Sequence, residues 1–160
     1  MIAVSLGPPE RYVLVAAPRF LEGRKRIKSP NELLGQPCIV TRFRSGVQLP
    51  WEFRKGKRAV KIMPTGPLMA AHPELQLRAA IDGLGFLMTL EGYAQAAIAS
   101  GLLVTLLEDW LPSFPGPFLY YPGRRQRPPS LTAFVAFVKE WRKEHAGSDT
   151  VRSIYAKQDK

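Results

Sequence analysis

Gly66 to Leu90 reads GPLMAAHPELQLRAAIDGLGFLMTL, and this stretch decides the fold. It predicts a loop, a helix, a tight glycine-bounded turn and a buried strand. Met69, Leu75, Leu77, Ala79, Ala80 and Ile81 supply mixed helical spacing behind His72-Pro73-Glu74. Proline suits the first helical position, where its missing N–H is not needed, and Glu74 lies at the positive end of the helix dipole. Gly83 can stop the helix in a left-handed conformation. Phe86-Leu87-Met88-Thr89-Leu90 is a short apolar run, the pattern of a strand covered on both faces. A helix followed directly by such a strand is an αβ unit, and predicts an α/β fold on a largely parallel sheet.

The chain of 160 residues has the size of one domain, or of two small lobes. Its hydrophobic fraction of 46% supports a core. Cys38 is the one cysteine, so no disulfide forms within the chain, and a cytoplasmic location is expected. No apolar run is long enough to span a bilayer, and MIAVSLGPPE lacks the basic start and apolar centre of a signal peptide. The net charge is +10, drawn from basic patches at Arg19–Lys28, Arg54–Lys61, Arg124–Arg127 and the last twenty or so residues. Such a balance attracts nucleic acid, acidic lipid or small anions. Solvated loop charge is the ordinary reading, because each patch borders a Pro or Gly loop or a chain end.

Upstream, Ile2, Val4 and Leu6 alternate as a short strand, and Tyr12–Ala17 (YVLVAA) is a continuous strand ended by Pro18. Arg19 to Glu22 suggests one helical turn. Ser29 and Glu32 have capping-box spacing, with Ser29 accepting from the Glu32 N–H and Glu32 reaching back. Pro37 to Thr41 leads a second strand, in which Cys38 is a small buried side chain. Trp51-Glu52-Phe53 and Ala59–Met63 form a hairpin around Lys55-Gly56-Lys57. Trp51 and Phe53 share one strand face, as core or as a base-stacking platform.

Downstream, Glu91–Ser100 reads as a helix stopped by Gly101, and Leu102–Leu107 as an extended apolar run. Three prolines between Asp109 and Pro117 exclude helix there. Phe118–Tyr121 is the last strand. Ser130 is the expected cap of a helix whose apolar stripe is Leu131, Phe134, Val135, Val138 and Trp141, stopped by Gly147. Residues 148–160 read as a flexible basic tail.

The chemistry-bearing signals are sparse. There is no phosphate-binding GxxxxGK[ST], and Gly83-Leu84-Gly85 lacks the third glycine of a dinucleotide fingerprint. His72 and His145 are the only imidazoles and lie far apart in the chain, which gives a metal site or a Ser-His-Asp arrangement thin support. No catalytic residue, metal ligand or cofactor is assigned. No helix-turn-helix, zinc spacing or RRM motif supports nucleic-acid binding, so that reading rests on charge alone.

Taken in order, YVLVAAPRFL, SPNELLGQPCIVTRFRSG with WEF, GPLMAAHPELQLRAAIDGLGFLMTL, SGLLVTLLEDW and FLYYPGRRQRPPSLTAFVAFVKE resemble the effector-binding domain of LysR-type transcriptional regulators, over roughly residues 1 to 142. The chain departs from the family where Asn or Asp is usual near the helix start, having Ala71-His72, and where Tyr is common, having Phe20. The resemblance implies a periplasmic-binding-protein-like (type II) α/β fold with one lobe complete and the other partial. It sets lobe II at about 30–107, a remnant of lobe I at about 1–29 and 108–147, and no DNA-binding domain on this chain. Missing neighbours would leave Tyr12–Ala17 and Phe118–Tyr121 as open apolar edges.

By resemblance, the protein is a non-catalytic small-molecule sensor. Thr41, Arg42, Gly66, Pro67 and Thr89 are its candidate effector-binding residues, with Arg42 pairing a carboxylate through its planar fork. The implied partners are a small organic effector such as a carboxylate, and either a second copy or a related regulator. DNA would be reached only through a missing N-terminal domain. The alternatives are a basic nucleic-acid-binding protein and a truncated remnant that pairs with full-length regulators.

Overall fold

The computed structural model describes residues 1–123 and 128–144. In chain order the elements are β1 (Ile2–Ser5), β2 (Tyr12–Ala16), α1 (Pro18–Leu21), β3 (Cys38–Thr41), β4 (Trp51–Lys55), β5 (Arg58–Ile62) and β6 (Leu68–Ala70). They continue with α2 (Pro73–Ile81), β7 (Phe86–Leu90), α3 (Glu91–Ala99), β8 (Val104–Leu106), β9 (Phe118–Tyr121) and α4 (Pro129–Glu144). Two short 3-10 turns, Pro30–Leu33 and Glu108–Trp110, complete the set. The chain forms two compact units, Glu10–Ser113 and Met1–Pro9 with the described part of Phe114–Lys160.

The larger unit is built on a five-stranded sheet in the order β6-β3-β7-β2-β8. β3 runs parallel to β6 and β7, whereas β2 is antiparallel to β7 and β8. The sheet is therefore mixed, not largely parallel. The apolar runs explain its centre: Leu14, Val15 and Ala16 of β2, Ile39 and Val40 of β3 and Leu87 of β7 are fully buried. α2 and α3 add Ala79, Ala80, Ala94 and Ala97 to the core. Small side chains let these helices lie close against the strands. β2 is thus an interior strand rather than an open edge. The larger unit takes in the chain from Glu10, and β2 lies within its sheet between β7 and β8.

The hairpin β4–β5 forms as expected, and Trp51 and Phe53 are each only 2% exposed. Their rings belong to the core and are not available as a stacking platform. Lys55 pairs with Asp109 and holds that carboxyl below its usual range through the hydrogen bond. The Lys55 ammonium and the Arg58 guanidinium lie 5.8 and 6.0 Å from the centre of the buried Trp110 ring. Part of the hairpin's basic charge is therefore engaged by the Glu108–Trp110 turn and is not free for nucleic acid.

Several local expectations change. Leu68–Ala70, expected as loop leading into the helix, is the edge strand β6, so Met69 belongs to a strand and is half exposed. Ser29 makes no side-chain cap: the Glu32 N–H donates to the Ser29 carbonyl at 3.1 Å, and Glu32 accepts from the Lys28 N–H at 3.3 Å. Proline at the next position tightens that turn to a 3-10 form. α4 starts at Pro129, so Ser130 sits inside the helix, and the Thr132 N–H donates to the Pro128 carbonyl at 3.1 Å. Val135 and Val138 of its stripe are buried, but Phe134 is 48% exposed. Gly147, Arg124–Arg127 and the expected tail lie outside the described residues.

In the smaller unit β1 and β9 form an antiparallel ribbon, with Ile2 opposite Tyr121 and Val4 opposite Leu119. Val4, Tyr121 and Val135 form its small core, joined by Ile2, Leu119 and Leu131. Arg142 of α4 donates to the Ser5 carbonyl at 3.1 Å, tying the helix to the ribbon.

Cys38 is fully buried in β3, and burial pushes its thiol up to about 12. The folded value exceeds the unfolded one, so folding loses nothing below the unfolded pKa. Stability then falls between about pH 9 and pH 12, as the unfolded thiol ionises first. Urea midpoints for the wild type and Cys38→Ala should converge across this window. A disulfide reagent at pH 8 should label Cys38 only in denaturant, and prompt labelling of the native chain would contradict the burial.

Candidate functional site: the carboxyl rim of the sheet

β3, β6 and β7 are parallel, so their C-terminal ends emerge together. Thr41 pairs with Ala70 of β6, and the β3–β7 register, with Cys38 opposite Phe86, brings Thr89 level with Thr41. α2 begins just beyond β6. Open α/β sheets bind ligands outside the carboxyl ends of their strands, where the following helix starts. The Glu74 and Leu75 N–H groups occupy the first turn of α2, whose backbone donors have no partner within the helix.

Gln76 of α2 holds this rim together. It is 4% exposed, and its amide nitrogen donates to the Ala70 carbonyl at 2.6 Å and to Thr41 Oγ1 at 3.1 Å. One side chain thus ties α2 to the ends of both β6 and β3. The Arg42 N–H also donates to the Ala70 carbonyl, at 3.2 Å. Gln76→Leu removes both side-chain bonds and leaves the Ala70 carbonyl with the Arg42 N–H as its donor; a loss of about 1–2 kcal/mol is expected by urea denaturation.

Arg42 is exposed, and its Nε donates to the Gly46 carbonyl at 3.3 Å. That bond braces the arginine against its own loop and leaves its terminal nitrogens without a hydrogen-bond partner among the described residues. His72 is exposed at the N-cap of α2 and makes no side-chain cap. Thr89 is 8% exposed and lies level with Thr41 near the end of β7. Farther along, Arg11 and Glu91 pair at 2.6 Å beside the Tyr12–Leu90 step.

The five expected site residues do not form one cluster. Thr41, Arg42 and Thr89 meet at the carboxyl rim. Gly66 and Pro67 lie at the other end of the strands, because Gly66 precedes Leu68 and Leu68 pairs with Ile39. Gly66 lies against Cys38, three strand residues before Thr41, or about 10 Å along β3. Gly66 instead serves packing: a Cβ there would lie 1.9 Å from the Cys38 carbonyl oxygen. Sequence reading overlooked Gln76, whose one signal was a polar residue beside apolar positions of a short helix. It named His72 as one of two imidazoles and as a departure at the helix start, but not among the effector-binding residues.

Polar groups thus gather at the carboxyl rim of a mixed α/β sheet, and among the described residues no cluster of three or more His, Cys, Asp or Glu is suited to a metal. The chain belongs to the LysR substrate-binding domain family, whose model matches residues 1–143. A putative transcriptional regulator of Pseudomonas aeruginosa is 38% identical over 136 residues, 84% of this chain and 44% of that protein. The chain thus spans less than half the length of that relative. The full-length Vibrio cholerae virulence activator AphB superposes with a TM-score of 0.70 at 22% identity, covering 88% of this chain and 48% of AphB. The regulatory domain of AphB in Vibrio vulnificus gives a TM-score of 0.64 at 20% identity, with 88% and 68% covered. The fold is therefore that of LysR-type regulatory domains, which are periplasmic-binding-protein-like. Among the described residues no helix is long and apolar enough to cross a membrane.

Proposed function

We propose that this chain is the effector-sensing part of a LysR-type transcriptional regulator, acting in the cytoplasm and catalysing no reaction. The unit Glu10–Ser113 is read as lobe II, and the β1–β9 ribbon with α4 as part of lobe I. The observation that carries the reading is the convergence of Thr41, Arg42, His72 and the first turn of α2 at one rim. Backbone N–H groups at a helix start and a guanidinium favour an anionic group, so the effector class is a small organic carboxylate. Thr41 and Thr89 supply hydroxyls that orient the rest of the molecule. DNA contact and dimer assembly belong to the whole regulator.

Isothermal titration of the chain with a panel of small organic acids tests this. At least one acid is expected to bind saturably, and Arg42→Ala should weaken it by about 10- to 100-fold, the worth of one charge-assisted hydrogen bond. Binding that is indifferent to both Arg42→Ala and Thr41→Val would place the effector elsewhere.

A further inference from the structure

Gln76 spends both of its amide hydrogens inside the rim. One nitrogen donates to the Ala70 carbonyl at 2.6 Å and to Thr41 Oγ1 at 3.1 Å. The sense of this amide is fixed by its partner. Turned over, it would set its own oxygen against the Ala70 oxygen, two acceptors with no proton between them. The Ala70 carbonyl has no proton to give, so it holds the nitrogen toward itself and toward Thr41. With the Gln76 side chain buried, these bonds face little competition from water.

The consequence falls on Thr41. A threonine hydroxyl can donate one proton and accept on its lone pairs, and alone in water it turns to suit whatever approaches. Here Oγ1 already accepts from Gln76. Its proton therefore lies away from that nitrogen, and among the described residues nothing accepts it. Thr41 is half-buried at the end of β3, next to Arg42 and level with Thr89. The hydroxyl is thus a donor of set direction beside a guanidinium, and a guanidinium can only donate. A head group that offers acceptors, as a carboxylate does, satisfies both.

We propose that Gln76 is a positioning residue for the effector. It acts without contacting the ligand, by presenting the Thr41 hydroxyl as a donor to one oxygen of the effector's carboxylate. The proposal rests on the reading of the rim as an anion site, and adds which side chain sets the sense of its hydroxyl. Affinity for the anion then depends on Gln76 only while Thr41 carries that hydroxyl.

The probe is acetate, exchanged for chloride at constant ionic strength so that screening of the +10 charge stays the same throughout. Amide NMR of the isotope-labelled chain follows the titration, with saturable shifts expected at Thr41, Arg42, Glu74 and Leu75. Gln76→Leu should weaken acetate binding about 5- to 10-fold, the worth of one oriented hydrogen bond. Gln76→Met, unbranched and of similar length, should do the same, and keeps the test open if the leucine variant fails to fold. Thr41→Ser keeps the hydroxyl and should bind as the wild type does. The decisive comparison is the double variant. In a Thr41→Val background, either Gln76 substitution should change acetate affinity by less than about twofold, because the group it acts through is gone. Losses that multiply in the double variant would overturn the proposal, since Gln76 would then act through the fold and not through Thr41. Rim shifts indifferent to both Gln76 variants would overturn this proposal alone. Shifts gathered on another face would overturn it together with the reading of the rim.

Discussion

Gly66→Ala should cost the domain at least about 3 kcal/mol, at the upper end for overpacking a fixed core. A Cβ on Gly66 would sit 1.9 Å from the Cys38 oxygen, 2.4 Å from its nitrogen and 2.8 Å from its carbonyl carbon. These are backbone atoms of a strand between β6 and β7, so no side-chain rotation relieves the clash. Either β6 must move off β3 or the Thr65–Cys38 hydrogen bond of 3.0 Å must break. Small domains are stable by only about 5–15 kcal/mol, so a large part of the folded population is at stake. Urea denaturation monitored by tryptophan fluorescence reads the loss. Gly92→Ala is the control: nothing lies within 4 Å of its Cβ, and it sits in α3, where alanine should stabilise by about 0.5–1 kcal/mol. Equal midpoints for the two variants would refute the close approach of β6 and β3.

Phe86→Ala is expected to lose about 3–5 kcal/mol. The ring is 1% exposed at the start of β7 and meets Phe20 of α1 edge-on, with centroids 5.1 Å apart. Arg24 lies over the other ring of the pair, 4.2 Å from its centroid. Removing Phe86 leaves a cavity against Phe20 and strips the packing that fixes α1. The neighbouring Leu84→Ala, 40% exposed, should change stability by less than about 0.5 kcal/mol. A Phe86→Ala loss as small as that of Leu84→Ala would mean that β7 is not the centre of the sheet.

Much of this fold is legible in short runs. YVLVAA and FLMTL lie covered on both faces because they carry apolar side chains at consecutive positions. Gly83 and Gly101 stop their helices with positive φ of 78° and 74°. β6 escaped notice because three half-exposed residues between Pro67 and His72 carry no period. The sheet's mixed polarity was hidden for another reason: apolar runs show that strands are buried, not which way their neighbours run. The same gap divided the expected site. Thr41, Arg42 and Thr89 are companions because β3 and β7 are parallel, while Gly66 and Pro67 fall at the opposite end through the β3–β6 register. Gln76 could not be weighed from sequence, since its value lies in two acceptors on different strands, Thr41 and the Ala70 carbonyl.

We propose that the chain senses a small anion at the carboxyl rim of its sheet. An amide-resolved NMR titration of the isotope-labelled chain, with the acid that gives the strongest calorimetric signal, tests it most directly. Saturable shifts confined to Thr41, Arg42, Ala71, His72, Glu74, Leu75 and Thr89 are predicted. Shifts centred on Gly66 and Cys38 at the far end of the strands, or on β9 and α4, would contradict it.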